Sequence, residues 1–150
     1  TPVPSGEYLV AHAKDEKAGI VCYRWTDKGI EEFWKYPKVT RRSDSSPIVE
    51  GNYVFLFGAD MRLCLDLKTG KVLHKEASKH DISSPIFADG KIFAYEIKGS
   101  FLNMVKADPN DFTELGKTKV QALRCSSPAI AGNKLLVRMA DRIACYDLGQ

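Results

Sequence analysis

The sequence lacks most of the features that announce a chemistry. Its 150 residues include three histidines and four cysteines, with no adjacent cysteines and no Cys-x-x-Cys pair. A zinc ribbon or a thioredoxin-like motif is therefore unsupported. There is no Gly-rich phosphate loop, no His-Glu-x-x-His and no EF-hand loop. Charge of one sign is also scarce: the net charge is +3, which makes no case for nucleic acid or an acidic membrane. The longest apolar runs, such as Tyr53 to Phe57, fall far short of the roughly 20 residues a membrane helix needs. The opening "TPVPSGEYLVAHAK" has neither the charged start nor the apolar core of a signal peptide. Helical periodicity is missing too. The one candidate, "DKGIEEFWKYPK", is stopped by Pro37 and fits a strand equally well.

What remains is ordinary in bulk, 44% hydrophobic and 27% charged, enough for one globular domain with a core. The order of residues is less ordinary. "SSPIVEGNYVFLF" begins at Ser45, "SSPIFADGKIFAYEI" at Ser83 and "SSPAIAGNKLLVRM" at Ser126, and a degraded copy, "PVPSGEYLVAHA", begins at Pro2. The prolines at 2, 47, 85 and 128 are spaced by 45, 38 and 43 residues. A period near forty signals a repeat architecture.

Each copy divides into short runs rich in Val, Ile, Phe, Tyr and Leu, punctuated by Gly, Asn, Asp and Lys-Thr-Gly. That pattern predicts antiparallel hairpins. Four strands per forty residues describe a propeller blade. A sandwich also has many short strands, but would not place Ser-Ser-Pro before every fourth one. The expected fold is all-β, with about three and a half to four four-stranded antiparallel blades in an incomplete ring. The blades fall at approximately 1–42, 43–80, 81–123 and 124–150.

At "CLDLKTGKVLH" the repeat resembles that of the pyrroloquinoline-quinone-type, or quinoprotein dehydrogenase-like, β-propellers. Their blades carry Ala-x-Asp-x-x-Thr-Gly-x-x-x-Trp across strands three and four. Cys64 stands at the alanine, Asp66, Thr69 and Gly70 match, and His74 replaces the tryptophan. The first copy keeps Gly29 and Trp34, the third keeps Asp108, and the last ends within the motif at Asp147. The resemblance implies that Asp66, Thr69 and Gly70 build a turn and that the aromatic residue docks one blade on the next. Blade two should therefore dock less firmly through His74, while Trp34 is the best dock and Trp25 packs nearby. Cys22, Cys64 and Cys145 fall where the repeat wants a small buried residue, too far apart to pair. Cys125 is the one expected at the surface.

Propellers of this family close with seven or eight blades. The chain is therefore expected to be the C-terminal part of a larger propeller, with an apolar face at each end of the arc. The rest of the propeller, or a second copy closing a ring of eight, would cover those faces. The resemblance also implies a periplasmic, secreted or cell-surface location. Enzymes of the family hold the quinone with calcium, a stacking tryptophan and a disulfide between adjacent cysteines; no adjacent pair exists here, so no cofactor is expected.

In an up-and-down blade, the segments preceding each Ser-Ser-Pro gather at one mouth of the ring. They bring Arg41, Arg42, Asp44, His80, Asp81 and Arg124 to a common rim; the set reads first as ordinary solvated loop charges and second as a site for an anionic ligand. The recurring serines satisfy backbone groups rather than attack a substrate, and His12 and His74 read as packing residues. No catalytic set and no metal site is expected. The leading functional reading is a non-catalytic binding or scaffolding propeller for a protein partner or small ligand. The alternative is part of a quinoprotein-like oxidoreductase whose catalytic residues lie in other blades.

Overall fold

A computed structural model of the chain describes residues 1–13, 15, 17–37, 45–58, 60–78 and 83–149. Its strands form four antiparallel meanders. The first is β1 (Val3–Ser5), β2 (Tyr8–His12), β3 (Ile20–Thr26) and β4 (Gly29–Tyr36). The second is β5 (Ile48–Glu50), β6 (Tyr53–Phe57), β7 (Met61–Asp66) and β8 (Val72–Ala77). The third is β9 (Ile86–Ala88), β10 (Lys91–Glu96), β11 (Phe101–Lys106) and β12 (Glu114–Lys119). The fourth has three strands, β13 (Ala129–Ala131), β14 (Lys134–Arg138) and β15 (Ile143–Asp147). The segment that periodicity left open between helix and strand is β4.

The sheets stack face to face. Because strand side chains alternate, each inner strand serves two interfaces. Val54 and Leu56 of β6 join Val10, Ile20 and Cys22 of the first sheet, whereas Phe55 and Phe57 of the same strand join Ile92, Ala94 and Val105 of the third. Phe93, Tyr95 and Leu102 then meet Leu135 and Val137 of the fourth. This two-sided burial explains why "YVFLF" is continuously apolar. The outermost strands β4, β8 and β12 carry Lys and Glu instead, which suits an exposed sheet edge. The result is an arc of β-propeller blades.

The copies superimpose at single hydrogen bonds. Trp25 N donates to Glu7 O, Leu67 N to Asn52 O, Ala107 N to Gly90 O and Leu148 N to Asn133 O, each at 2.8 or 2.9 Å. These bonds set the register between copies. Asp66 corresponds to Lys106, so Asp108 is two positions beyond the repeat aspartate and is not its counterpart. Asp108 instead accepts from Lys106 Nζ at 2.9 Å and Asn110 N at 3.0 Å within a longer turn.

A bulge recurs in each outer strand. It follows the pairs Cys22–Trp34, Cys64–His74 and Met104–Gly116, so these six residues are equivalent across three blades. At the first position Trp34 Nε1 donates to Leu67 O of the next blade at 2.7 Å. Its ring lies over Gly70, where a Cβ would come within 2.7 Å of the indole. Gly70 also has φ +68, so a side chain would be both strained and blocked. Asp66 Oδ1 holds that turn by accepting from Thr69 N at 2.8 Å and Thr69 Oγ1 at 2.7 Å.

Two expectations need correction. Trp25 lies three residues beyond Cys22 on β3, hence on the opposite face, and is 53% exposed rather than packed near Trp34. Cys145 is exposed along with Cys125, while Cys22 and Cys64 are buried. Cys22 and Cys64 each face the next blade; Cys145 points the same way from the fourth sheet, where no described residue covers it.

Candidate functional site

We call upper the end that carries the connections from strand two to three and from strand four to the next blade. Two upper connections of the third blade are tied together. The β10–β11 connection contains a single 3₁₀ turn, Ile97–Gly99. Ala122 N donates to Gly99 O at 2.7 Å and Val120 N to Ser100 O at 3.1 Å. Gly99 has φ +94, and a Cβ there would lie 2.7 Å from Ala122 O, so the two loops approach this closely only with glycine.

Both loops hold unusual backbone. Ile97, Lys98, Gln121 and Cys125 have φ of 48, 58, 53 and 64°; among the described residues the one other non-glycine with positive φ is Asp89, in a hairpin. For a β-branched residue this conformation is a true outlier. Ile97 is nevertheless 45% exposed, so its side chain is not buried to offset the strain as a core residue would be. Lys98, Arg124 and Cys125 are also exposed on these two loops. Ser126 closes the turn by donating Oγ to Leu123 O at 2.7 Å. The site presents an exposed aliphatic side chain on two loops tied by backbone hydrogen bonds, with Lys98 next to it in sequence and Arg124 on the second loop.

A buried charge cluster lies beneath it. Glu96, the residue preceding Ile97, is fully buried. Its Oε1 accepts from Arg62 Nη2 and from Asn103 Nδ2, both at 2.7 Å. Its Oε2 accepts from Lys117 Nζ. Burial alone would raise its pKa, but the hydrogen bonds from Lys117, Asn103 and Arg62 together outweigh burial and hold it below the ordinary value of 4.5. The Arg62 guanidinium also sits over the Phe57 ring, 4.9 Å from its centroid. Arg62 belongs to the second blade and Glu96 to the third, so the cluster pins the two together below the loops.

Of the residues singled out from sequence, Arg124 stands on the upper loop just described. Arg41, Arg42, Asp44, His80 and Asp81 lie outside the described residues. The paired serines make inter-blade contacts: Ser46 N donates to Ser84 Oγ at 2.9 Å, and the Thr1 amino group donates to Ser46 Oγ at 3.0 Å. His12 Nδ1 lies 2.9 Å from Ser45 O. His74 stands edge-on to Phe112, with ring centroids 4.9 Å apart, and Phe112 also meets Phe55 and Phe57. The sequence reading missed Phe112, which brings to the second interface, from the receiving side, the aromatic ring that His74 lacks. It also missed Glu96 and Arg62. The available signal was a charge at the end of "KIFAYE" and another inside "MRLCLD", both where two-sided burial was expected. Among the described residues no three His, Cys, Asp or Glu side chains converge as a metal group, and no helix is long and apolar enough to cross a membrane.

No known family profile matches the chain, and neither does any curated protein. Solved structures do. A europium-containing methanol dehydrogenase aligns at TM-score 0.61 and 15% identity, over 81% of this chain and 24% of that one. BamB from Moraxella catarrhalis aligns at 0.61 and 11%, over 99% and 57%. A chain from a mitotic checkpoint complex aligns at 0.70 and 13%, over 95% and 46%. The chain thus spans 24 to 57% of the length of these three neighbours. The likeness is one of β-propeller fold.

Proposed function

We propose that this chain is a segment of a non-catalytic binding propeller that presents its upper face to a protein partner. The observation that carries the reading is the pair of tethered loops in the third blade. Holding Ile97 in a left-handed backbone costs about 1–2 kcal/mol. Such strain persists where the surrounding structure imposes it, and it often serves recognition. An exposed isoleucine on loops that also carry the exposed Lys98 and Arg124 suits an aliphatic side chain set among carboxylates. Arg41, Arg42, Asp44, His80 and Asp81 belong to the equivalent connections and would extend the same rim. An anionic small ligand would use the same cations. That one neighbour comes from a mitotic checkpoint complex supports a binding role.

The end blades support assembly with further blades. Trp25 and Ile30 on the free face of the first sheet are 53% and 48% exposed, and Ile143 on the free face of the fourth is 69% exposed. The rest of a propeller, or a second copy, would cover them. A periplasmic, secreted or cell-surface location belongs to the same proposal.

The test is selection from a displayed library of short peptides, followed by titration against Ile97→Asn and Arg124→Glu. Binders should pair Asp or Glu with an aliphatic residue, and each variant should lose at least about tenfold in affinity without loss of stability. Selection of no such class, or unchanged binding by both variants, would refute the reading. A quinoprotein reading instead requires a spectral change when pyrroloquinoline quinone and calcium are added.

A further inference from the structure

The docking position changes from blade to blade. Its three occupants, paired to Cys22, Cys64 and Met104 at the same bulge, are Trp34, His74 and Gly116. Trp34 fills its interface with an indole, and His74 meets Phe112. Gly116 brings no side chain to the interface between the third and fourth blades.

Backbone conformation does not demand glycine there. Gly116 has no positive φ, and a Cβ on it would make only ordinary contact, 3.5 Å from Met104 Cε. Glycine inside a strand weakens it and often marks a place where something else comes close. Here it borders an open cleft of about 240 Å³ lined mainly by Phe93, Leu102, Met104, Leu135, Tyr146 and Leu148, with Lys117 and Thr118 also in its wall. The cleft adjoins a second space of about 420 Å³ that shares Phe93, Met104 and Leu148 and opens toward Lys91 and Asn133.

The counterpart of the indole's acceptor is also present. Leu148 N donates to Asn133 O as Leu67 N does to Asn52 O. Leu148 O is therefore the equivalent of the Leu67 carbonyl that receives Trp34 Nε1. Enclosed apolar cavities of about 150 Å³ bind benzene; this space is as apolar but stands open on one side.

We infer that the interface between the third and fourth blades is a binding site for a small planar aromatic molecule of indole size carrying one N–H donor. The ring takes the place of the missing docking side chain between Met104 and Tyr146, and the N–H donates to Leu148 O. Met104, which is flexible and polarizable, adapts to the ring.

Indole itself is the probe, titrated into the whole chain with methionine methyl groups observed by NMR. The chain has three methionines. Saturable binding with a Kd of about 1 mM or tighter is expected, with the Met104 methyl shifting while Met61 and Met139 hold still. Gly116→Trp should fill the seat and weaken indole at least about tenfold. Gly116→Ala, which the space admits, should keep most of the binding. Absence of saturable binding to the unaltered chain, or shifts centred on Met61 or Met139, would overturn the inference even if Gly116→Trp failed to fold. Retained indole affinity in a folded Gly116→Trp would overturn it as well.

Discussion

Glu96 shows what a single residue does for the stack. Its carboxylate is buried, and Arg62, Lys117 and Asn103 all donate to it. Removing one partner of a buried charge cluster leaves the others desolvated and uncompensated, typically at about 3–5 kcal/mol. Glu96→Ala should therefore destabilise the chain by about 3 kcal/mol in urea unfolding. The pH dependence follows from the lowered pKa. The group's contribution is complete above the ordinary value of 4.5 and is lost as pH falls through the lower folded value. Thermal melts should show stability falling below about pH 4.5, with a shallower fall in Glu96→Gln; identical acid profiles for the two proteins would contradict this. The two charges inside apolar strands were legible in sequence, but their pairing was not, because Arg62 and Glu96 are 34 residues apart and local pattern does not pair charges across blades. The structural use of the serines was easier to read, because three copies of the same pair stood in one place relative to the strands.

Between elements, the docking side chains set how firmly blades hold one another. Trp34 is half-buried, hydrogen-bonded to Leu67 O and stacked on Gly70. Trp34→Ala should cost about 3 kcal/mol, near the lower end for loss of a large aromatic. Gly70→Ala should cost about 1–3 kcal/mol through backbone strain and collision with the ring. The double variant should then lose less than the sum, because the collision disappears with the indole. Urea titration of the four proteins checks this, and strict additivity would argue against the contact. The strands were legible because alternation and turn residues repeat. Two features at this scale were not. Aligning Asp108 with Asp66 failed because the third blade has a longer turn, and only backbone register shows that Lys106 is the counterpart. Phe112 stayed hidden for the same reason, since it enters from that longer turn.

At the scale of the whole molecule, the physical claim is radial stacking. Four sheets bury three successive apolar interfaces, with Val54 and Leu56 turned one way and Phe55 and Phe57 the other. The period near forty made this architecture legible, because each copy supplies one sheet that cannot bury both faces alone. What covers the two end faces was not legible, because repeats report their neighbours and not what closes the ring. In a radial stack, adjacent innermost strands run side by side near the axis, and the bond from Ser46 N to Ser84 Oγ at 2.9 Å records that approach. Cysteines placed at Ser46 and Ser84, with Cys125 and Cys145 replaced by serine, give the most direct test. The stack predicts rapid formation of an intramolecular 46–84 disulfide under mild oxidation of the folded chain. Two thiols that stay free while the protein is folded would contradict it.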